Sequence, residues 1–216
     1  MAAPRAIANL GPRRLVEEAL TLDLMSFLAR HGDAHLLLVR IPEGDTEFEL
    51  GLSAGVSSAS AAAPEPIPFR TRHQDVPRVR SEAEKVRHED PAALSRLLEK
   101  HPHFAVAVRK RAGSDALFMG RISIGRARNK DIVLRHSSIS KFHAWFEADD
   151  SEDLHVCDAG STNLTHLNGT PLVARARTAV EPGDALRFGS IETVICSPRT
   201  LWNSLVTEKA VQEPTR

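Results

Sequence analysis

Short apolar runs alternate with polar residues throughout the second half of the chain. From Phe104 onward, glycine, asparagine, aspartate and serine separate these runs at short intervals. Eight segments have this pattern: 104–109, 117–124, 131–134, 143–148, 154–157, 165–167, 185–188 and 193–196. Many short strands joined by frequent turns are typical of an antiparallel β-sandwich or barrel. A stretch of about 100 residues is enough for one such core.

The first hundred residues have a different pattern. Leucine, valine and phenylalanine recur at helical spacing over 12–30, which predicts one amphipathic helix that ends at Gly32. Apolar runs at 35–41 and 47–52 flank a Pro-Glu-Gly-Asp turn. Two such runs around a glycine-containing turn predict a β-hairpin.

Composition divides the chain further. Serine, alanine, glycine and proline dominate 53–68, which predicts a linker or a long exposed loop. Proline after Asp90 is typical of a helix start, so we expect a short helix at 91–100. The predicted parts are an N-terminal α/β accessory region of helix plus hairpin at 1–53, an Ala/Ser/Pro-rich linker or loop at 54–76, a polar helical connector at 77–102, the β domain at 103–200 and a C-terminal tail at 201–216.

Composition also excludes several classes of protein. The 28 basic residues balance 28 acidic ones, so a strongly basic nucleic-acid binder is not expected. No apolar stretch approaches the roughly 20 residues of a membrane span, and the first ten residues show no secretory signal. Two cysteines are too few for a disulfide framework or a four-cysteine zinc site. We therefore expect a cytoplasmic protein with two buried free thiols, no metal, no cofactor, and neither nucleic acid nor membrane as a partner.

Positive charge concentrates between Arg121 and Lys141, where six basic residues and one acid give a net charge of +5. A solvated surface is one interpretation of such a run. The other is a phosphate site, because Arg126 follows an apolar strand at Gly125 and 137–141 adds three serines beside a lysine. Arginine gives planar charge-assisted hydrogen bonds, lysine a point charge and serine a neutral donor, which together suit a phosphate dianion.

Asparagine and glycine mark a third group of residues. Gly160-Ser-Thr-Asn163 and Asn168-Gly169 flank one short predicted strand. Asparagine and glycine form tight turns, and the asparagine side chain carries both a donor and an acceptor. Such a side chain can bind a peptide backbone without reading its sequence.

These motifs, in this order, resemble the forkhead-associated (FHA) domain family over about 104–197. The resemblance rests on Gly125-Arg126, Asp131-Ile-Val-Leu134, Ser138-Ile-Ser140-Lys-Phe-His143-Ala, Gly160-Ser-Thr-Asn-Leu-Thr165, Asn168-Gly169, Pro182-Gly-Asp184 and Leu186-Arg-Phe-Gly189. It implies a mainly β fold, a twisted antiparallel β-sandwich of about eleven strands. It also implies that loops at one end of the sandwich bind phosphothreonine peptides.

The resemblance assigns roles to individual residues. It implies that Arg126 and Ser140 contact the phosphate and that Lys141 takes the place of a helping basic or polar residue. Thr162 would supply loop contacts near the phosphothreonine, and Asn163 would bond the peptide backbone. The positions that mainly hold the loops in shape are Gly125, His143, Asn168 and Gly169. No catalytic residue is implied.

Three residues depart from the family pattern. Leu164 stands where the family usually has glycine, so a positive φ there would strain the backbone. Phe142 replaces a commonly basic residue, and Lys130 stands where asparagine is common. These departures concern affinity and peptide preference, because Arg126 and Ser140 are both present.

Two functions follow from the resemblance and its departures. The first is a phosphothreonine-binding recruitment or adaptor module in Ser/Thr kinase signalling, whose partner is a kinase substrate or a kinase. The alternative, favoured by Leu164, is a phosphate-independent interaction or assembly module with the same fold. An enzyme is not expected, since the chain has no glycine-rich phosphate loop, nucleophile elbow or kinase motif set.

Overall fold

The computed structural model describes residues 12–32, 34–40, 49–50, 91–101, 103–111, 120–148 and 153–212. Sheet A contains, in spatial order, β3 (His103–Ala107), β1 (Leu36–Arg40), β12 (Ile191–Cys196), β11 (Ala185–Phe188), β8 (Thr165–Leu167) and β9 (Thr170–Pro171). Sheet B contains β10 (Thr178–Ala179), β7 (Leu154–Asp158), β6 (Ala144–Ala148), β4 (Ile122–Gly125), β5 (Ile132–Arg135) and β2 (Glu49–Leu50). The helices are α1 (Pro12–Thr21), α2 (Leu24–His31), α3 (Pro91–Lys100) and α4 (Pro198–Gln212), which together form the helical layer. The predicted mainly β sandwich is confirmed, with one parallel pair, β4–β5, among its antiparallel strands.

Sheet A is apolar on both faces, and β1 shows why. Leu36 and Leu38 pack in the core beneath the helical layer, whereas Leu37 and Val39 pack in the core between the sheets. Successive side chains of a strand point to opposite faces, so an unbroken apolar run suits a strand that is buried on both sides. β1 accordingly lies inside sheet A, hydrogen-bonded to β3 and β12.

The predicted hairpin of 35–41 and 47–52 is wrong in its pairing. β1 belongs to sheet A, whereas β2 pairs with β5 in sheet B and places Leu50 opposite Leu134. The local turn residues are compatible with a hairpin. An all-apolar strand, however, is stabilised more when both of its faces are buried at the centre of a sheet. The N-terminal region therefore contributes a strand to each sheet. The predicted linker at 54–76 and most of the connector lie outside the described residues, and the domain boundaries stay predictions.

The helix predicted over 12–30 is two helices. Asp23 interrupts it as the N-cap of α2, because its carboxylate accepts hydrogen bonds from the backbone N–H of Ser26 at 2.9 Å and from its hydroxyl at 3.0 Å. The predicted end at Gly32 is confirmed: Gly32 has a φ of +74° and donates its N–H to Leu28 O at 2.8 Å.

The helix predicted at 91–100 is confirmed as α3, but the tail predicted at 201–216 is wrong as far as residue 212. α4 begins after Ser197, whose Oγ accepts the N–H of Thr200 at 3.0 Å. Leu201 and Leu205 on α4 are buried in the core between the helical layer and sheet A. The helix forms because these leucines cover the outer face of sheet A. The local sequence does not show that this face is there to be covered, so it does not predict the helix.

The strands that carry the predicted site residues end together. β4 and β7 finish, and β6 begins, at the same end of the sandwich, because β6 pairs antiparallel with both β4 and β7. β8 of sheet A begins at this end too, since His143 Nε2, directly before β6, donates to Leu164 O, directly before β8. The parallel partner β5 finishes there as well. Three loop segments at this end, residues 125–127, 136–143 and 159–164, are called the rim below.

Candidate functional site

Arg126 and Ser140 meet on the rim because a glycine precedes Arg126. The N–H of Arg126 donates to Ser140 O at 3.1 Å, and the N–H of Ala127 donates to Lys141 O at 3.3 Å. A Cβ atom at Gly125 would lie 2.4 Å from Lys141 O. Any other residue at Gly125 would therefore push the two segments apart.

The third loop joins the pair through Ser140. The N–H of Thr162 donates to Ser140 Oγ at 3.2 Å, and the two hydroxyl oxygens lie 3.5 Å apart, at the limit of a hydrogen bond. Thr162 and Lys141 are exposed, whereas Arg126 and Ser140 are half-buried. The structure thus brings Arg126, Ser140, Lys141 and Thr162 together on one rim.

Not every cation of the basic segment lies on the rim. Arg121 donates to Glu147 at 3.2 Å and stacks over the Trp145 ring. Lys130 is 6% exposed, and its ammonium lies 4.8 Å from the centroid of the Phe142 ring. The net charge of the segment therefore overstates the charge at the rim.

Arg126 and Lys141 are the cations of the described rim loops. Partial burial lowers the pKa of the Arg126 guanidinium, because burial disfavours the charged form. Arginine still carries its charge near neutral pH. A phosphate bound there would compensate for the solvation that the guanidinium loses on burial.

His143 supports Ser140 from inside the sandwich. The imidazole is fully buried; its Nδ1 accepts the N–H of Ser140 at 3.1 Å, and its Nε2 donates to Leu164 O at 3.2 Å. Burial lowers the pKa of His143 to about 4, although the nearby Asp158 carboxylate acts in the opposite direction. His143 is therefore neutral near pH 7 and links two rim loops, with its proton on Nε2.

Asp158 organises the third loop, and sequence reasoning missed it. Its buried carboxylate accepts hydrogen bonds from the N–H of Gly160 at 2.8 Å, the N–H of Ser161 at 2.9 Å and the hydroxyls of Ser161 and Thr165 at 2.6 and 2.7 Å. Burial alone would raise the pKa of Asp158, but these hydrogen bonds outweigh it and lower the pKa. An aspartate at a strand end, two residues before glycine, was the available signal for this turn.

Asn163 lies between rim loops. It is 6% exposed, and its Nδ2 donates to Ser138 O at 2.9 Å. Ser138 is held in turn: its hydroxyl donates to His136 Nδ1 at 2.7 Å and accepts the N–H of Ser190 at 3.1 Å. The structure gives Asn163 a loop-joining contact, and the predicted bond to a peptide backbone stays a prediction.

Leu164 has the left-handed backbone conformation that favours glycine. Its φ is +56°, and its side chain is 43% exposed. The N–H of Gly189 donates to Leu164 O at 3.1 Å. The third loop is therefore fixed to sheet A as well as to His143.

Asn168 and Gly169 lie at the other end of the sandwich. They follow β8, whereas the rim residues 159–164 precede it. The Asn168 side chain donates to Asp184 at 2.7 Å and accepts the N–H of Ala185 at 3.0 Å. These residues therefore hold a turn that is remote from Arg126.

The sequence of residues 122–189 matches the FHA domain family. The chain contains an FHA domain. The matched residues run from β4 to the end of β11 and include the whole rim, whereas β1, β3, β12 and the helical layer lie outside them. No curated protein matches the sequence.

Several solved structures are similar to parts of the chain. The N-terminal FHA domain of S. cerevisiae Rad53, solved with a phosphothreonine peptide, is 25% identical; the match covers 36% of this chain and 67% of that one, with a TM-score of 0.34. An FHA domain of an Arabidopsis thaliana hypothetical protein is 25% identical over 43% of this chain and 73% of its own, with a TM-score of 0.36. Mycobacterium tuberculosis EmbR, solved with a low-affinity phosphopeptide, is 26% identical over 36% of this chain and 20% of its own, with a TM-score of 0.33.

Metal ligands, membrane-spanning helices and cysteines would mark other kinds of site. Within the described ranges, no group of three or more histidine, cysteine, aspartate or glutamate side chains could hold a metal ion, and no helix is long and apolar enough to cross a bilayer. Cys157 and Cys196 are free and buried, as predicted. Burial raises the pKa of the Cys157 thiol to about 11, so this thiol is unreactive near neutral pH.

Proposed function

We propose that the FHA domain binds phosphothreonine peptides through the rim, and that the chain acts as a recruitment or adaptor protein in cytoplasmic Ser/Thr kinase signalling. The observation that carries the proposal is the backbone hydrogen bond from Arg126 to Ser140. It places a guanidinium and a hydroxyl on neighbouring segments at an exposed end of the sandwich. In this proposal, the partner of the chain is a protein that carries phosphothreonine, either a substrate of a Ser/Thr kinase or the kinase itself.

Each rim residue has a distinct task in this proposal. Phosphothreonine carries a charge of about −1.5 to −2 near neutral pH. Arg126 donates charge-assisted hydrogen bonds to it, Ser140 donates its hydroxyl and Lys141 adds a point charge. Thr162 contacts the peptide beside the phosphate, and Asn163 bonds the peptide backbone. A small and mostly polar contact gives a modest affinity.

The threonine methyl group provides selectivity over phosphoserine in this family. Burying one methyl group contributes about 1 kcal/mol, which is roughly a five- to tenfold difference in affinity. We therefore expect phosphoserine peptides to bind more weakly than phosphothreonine peptides, and unphosphorylated peptides not to bind.

Calorimetric titration with a degenerate phosphothreonine peptide library and its unphosphorylated counterpart tests the proposal. Arg126→Ala should abolish binding and keep the circular dichroism spectrum of the wild type. Arg96→Ala is the matched control, because it removes the same charge from an exposed position on α3. Equal binding of phosphorylated and unphosphorylated peptides, or equal loss in both variants, would exclude a phosphate-reading rim.

Leu164 favours a second function, a phosphate-independent assembly module. Its exposed side chain places apolar surface where the family usually has glycine. Light scattering and capture of unphosphorylated partners test this alternative. It is excluded if the protein is monomeric and retains phosphorylated partners only.

A further inference from the structure

The loop that carries Arg126 turns back along the strand that precedes it. β4 and β5 run parallel to each other, so the residues that connect them, 126–131, must reverse direction. The N–H of Lys130 donates to Ala127 O at 3.2 Å and closes this turn. Residues 126–131 are called the Arg126 loop below.

A buried carboxylate fixes the end of this loop to β4. The Asp131 side chain is fully buried, and its Oδ2 accepts hydrogen bonds from the N–H of Ser123 at 2.7 Å and from the Ser123 hydroxyl at 2.6 Å. The N–H of Asp131 donates back to Ser123 Oγ at 3.1 Å. Because Ser123 lies on β4, three residues before Arg126, these bonds join the end of the loop to the strand from which it starts.

The same carboxylate also binds a segment outside the FHA match. The Lys110 ammonium lies 3.0 Å from Asp131 Oδ2, and the N–H of Arg111 donates to Oδ1 at 2.9 Å. The Arg111 guanidinium donates to Arg128 O, in the middle of the Arg126 loop. Lys110 and Arg111 precede the matched residues, which begin at 122. The loop is therefore held by two separate parts of the chain.

Neither packing nor phosphate binding explains the buried carboxylate of Asp131. A carboxylate adds no apolar contact to the core, and burying its charge is costly unless it is paired and hydrogen-bonded. A negative charge near a phosphate also opposes binding, and Lys110 offsets that charge here. Asp131 contributes geometry, because one side chain fixes the end of the Arg126 loop both to β4 and to residues 110–111.

We propose that Asp131 is a positioning residue for phosphate binding. Its carboxylate fixes the Arg126 loop, and so holds the guanidinium of Arg126 where it meets the phosphate beside Ser140. Asp131 acts through this loop and does not touch the peptide. This inference rests on the proposed function, and it extends the support of the site to residues 110–111, outside the matched FHA sequence.

Calorimetric titration of Asp131→Asn with the degenerate phosphothreonine library tests the inference, because asparagine keeps the size of the side chain and removes its charge. Loss of a negative charge would by itself strengthen binding to a phosphate, whereas a displaced guanidinium loses charge-assisted hydrogen bonds. We expect the folded variant to bind about tenfold more weakly than the wild type. The Arg126 Nε–H signal, followed by NMR, should shift on peptide addition in the wild type and much less in this variant.

Ser123→Ala guards against a folding defect in Asp131→Asn, since it removes the hydroxyl and keeps the N–H that donates to Asp131. It should bind about two- to tenfold more weakly than the wild type. Asp184→Asn is the matched control, because Asp184 accepts the Asn168 side chain at 2.7 Å and the N–H of Glu181 at 2.8 Å at the other end of the sandwich. It should keep the affinity and the arginine signal of the wild type.

Three results decide between the inference and the proposed function. The inference is overturned, and the proposed function stands, if folded Asp131→Asn or Ser123→Ala binds the phosphothreonine library as tightly as the wild type, or if Asp184→Asn loses as much affinity. If Asp131→Asn does not fold, Ser123→Ala alone decides. A wild type that binds the unphosphorylated library equally well would overturn both.

Discussion

The rim and the helical layer differ in what holds them in place. The rim is organised by hydrogen bonds to buried polar groups, namely the imidazole of His143 and the carboxylate of Asp158, and it includes a strained residue, Leu164. The helical layer is held by apolar packing, with Phe27 and Leu201 fully buried above sheet A. Because of this difference, substitutions in the two regions should change different properties of the protein. Changes in the helical layer should cost stability, whereas changes on the rim should cost peptide binding.

The largest effect should come from the helical layer. Phe27→Ala removes a fully buried ring and leaves a cavity, so the free energy of unfolding should fall by about 3–5 kcal/mol. Urea denaturation measures this loss. The affinity of the protein that remains folded for a phosphothreonine peptide should not change. If Phe27→Ala lost much of its peptide affinity under conditions where it is fully folded, the two regions would be coupled.

The next effect concerns the pH dependence of stability. The pKa of His143 is lowered to about 4 by burial, whereas an unfolded histidine titrates near 6.5. The unfolded state therefore takes up the proton first, so stability is complete above about pH 6.5 and falls progressively toward pH 4. The full loss is up to about 3 kcal/mol for this residue.

A site-specific measurement is needed for that prediction, because burial also lowers the pKa of His103 on β3 to about 4. NMR titration of each imidazole separates the two residues. Protonation of His143 in the folded protein would also oppose the N–H of Ser140, so the contribution of His143 to peptide binding should be lost only as the pH approaches about 4. A His143 pKa near 6.5 would contradict the structural account of the rim.

A smaller effect should follow from crowding two rim loops. Gly125→Ala would place Cβ 2.4 Å from Lys141 O, and the forced shift should cost about 1–3 kcal/mol of stability together with most of the peptide affinity. Gly120→Ala is the matched control, because nothing lies within 4 Å of a Cβ there. Equal affinities of the two variants would mean that the spacing between the segments does not matter.

The smallest effect concerns strain at Leu164. Leu164→Gly removes the left-handed penalty of leucine, roughly 1–2 kcal/mol, but adds the chain entropy of glycine, roughly 0.5–1 kcal/mol. Thermal unfolding should therefore show equal or slightly higher stability, by about 1.5 kcal/mol at most. Leu164→Ala keeps the strain and should not gain stability. A clearly destabilised Leu164→Gly would show that the leucine side chain supports the fold.

Sequence patterns predicted elements best where the stabilising contacts are local. β8 at 165–167 and β11 at 185–188 have the predicted bounds, because turn residues enclose each short apolar run. The pairing of 36–40 could not be predicted, since an all-apolar strand does not reveal which distant strands lie beside it. The C-terminal helix escaped prediction for a related reason: Leu201 and Leu205 are buried by sheet A, not by a local pattern.

The site was predictable only in part. Gly125-Arg126 and Ser140 could be placed on one rim because they follow strands that end together. Asn168 was expected to hold a loop in shape, and it holds a turn at the opposite end of the sandwich, because β8 between it and the rim spans three residues, about 10 Å. Asp158 was missed because its role depends on four hydrogen bonds that appear only in the folded loop.

The most direct test maps the bound peptide onto the two regions. A phosphothreonine peptide is added to isotope-labelled protein, and amide NMR shifts are followed residue by residue. The account predicts that the largest shifts fall at 125–127, 138–143 and 160–164, with no significant change along α1–α4, and that the unphosphorylated peptide causes none. Shifts concentrated in the helical layer, or shifts of equal size with both peptides, would contradict it.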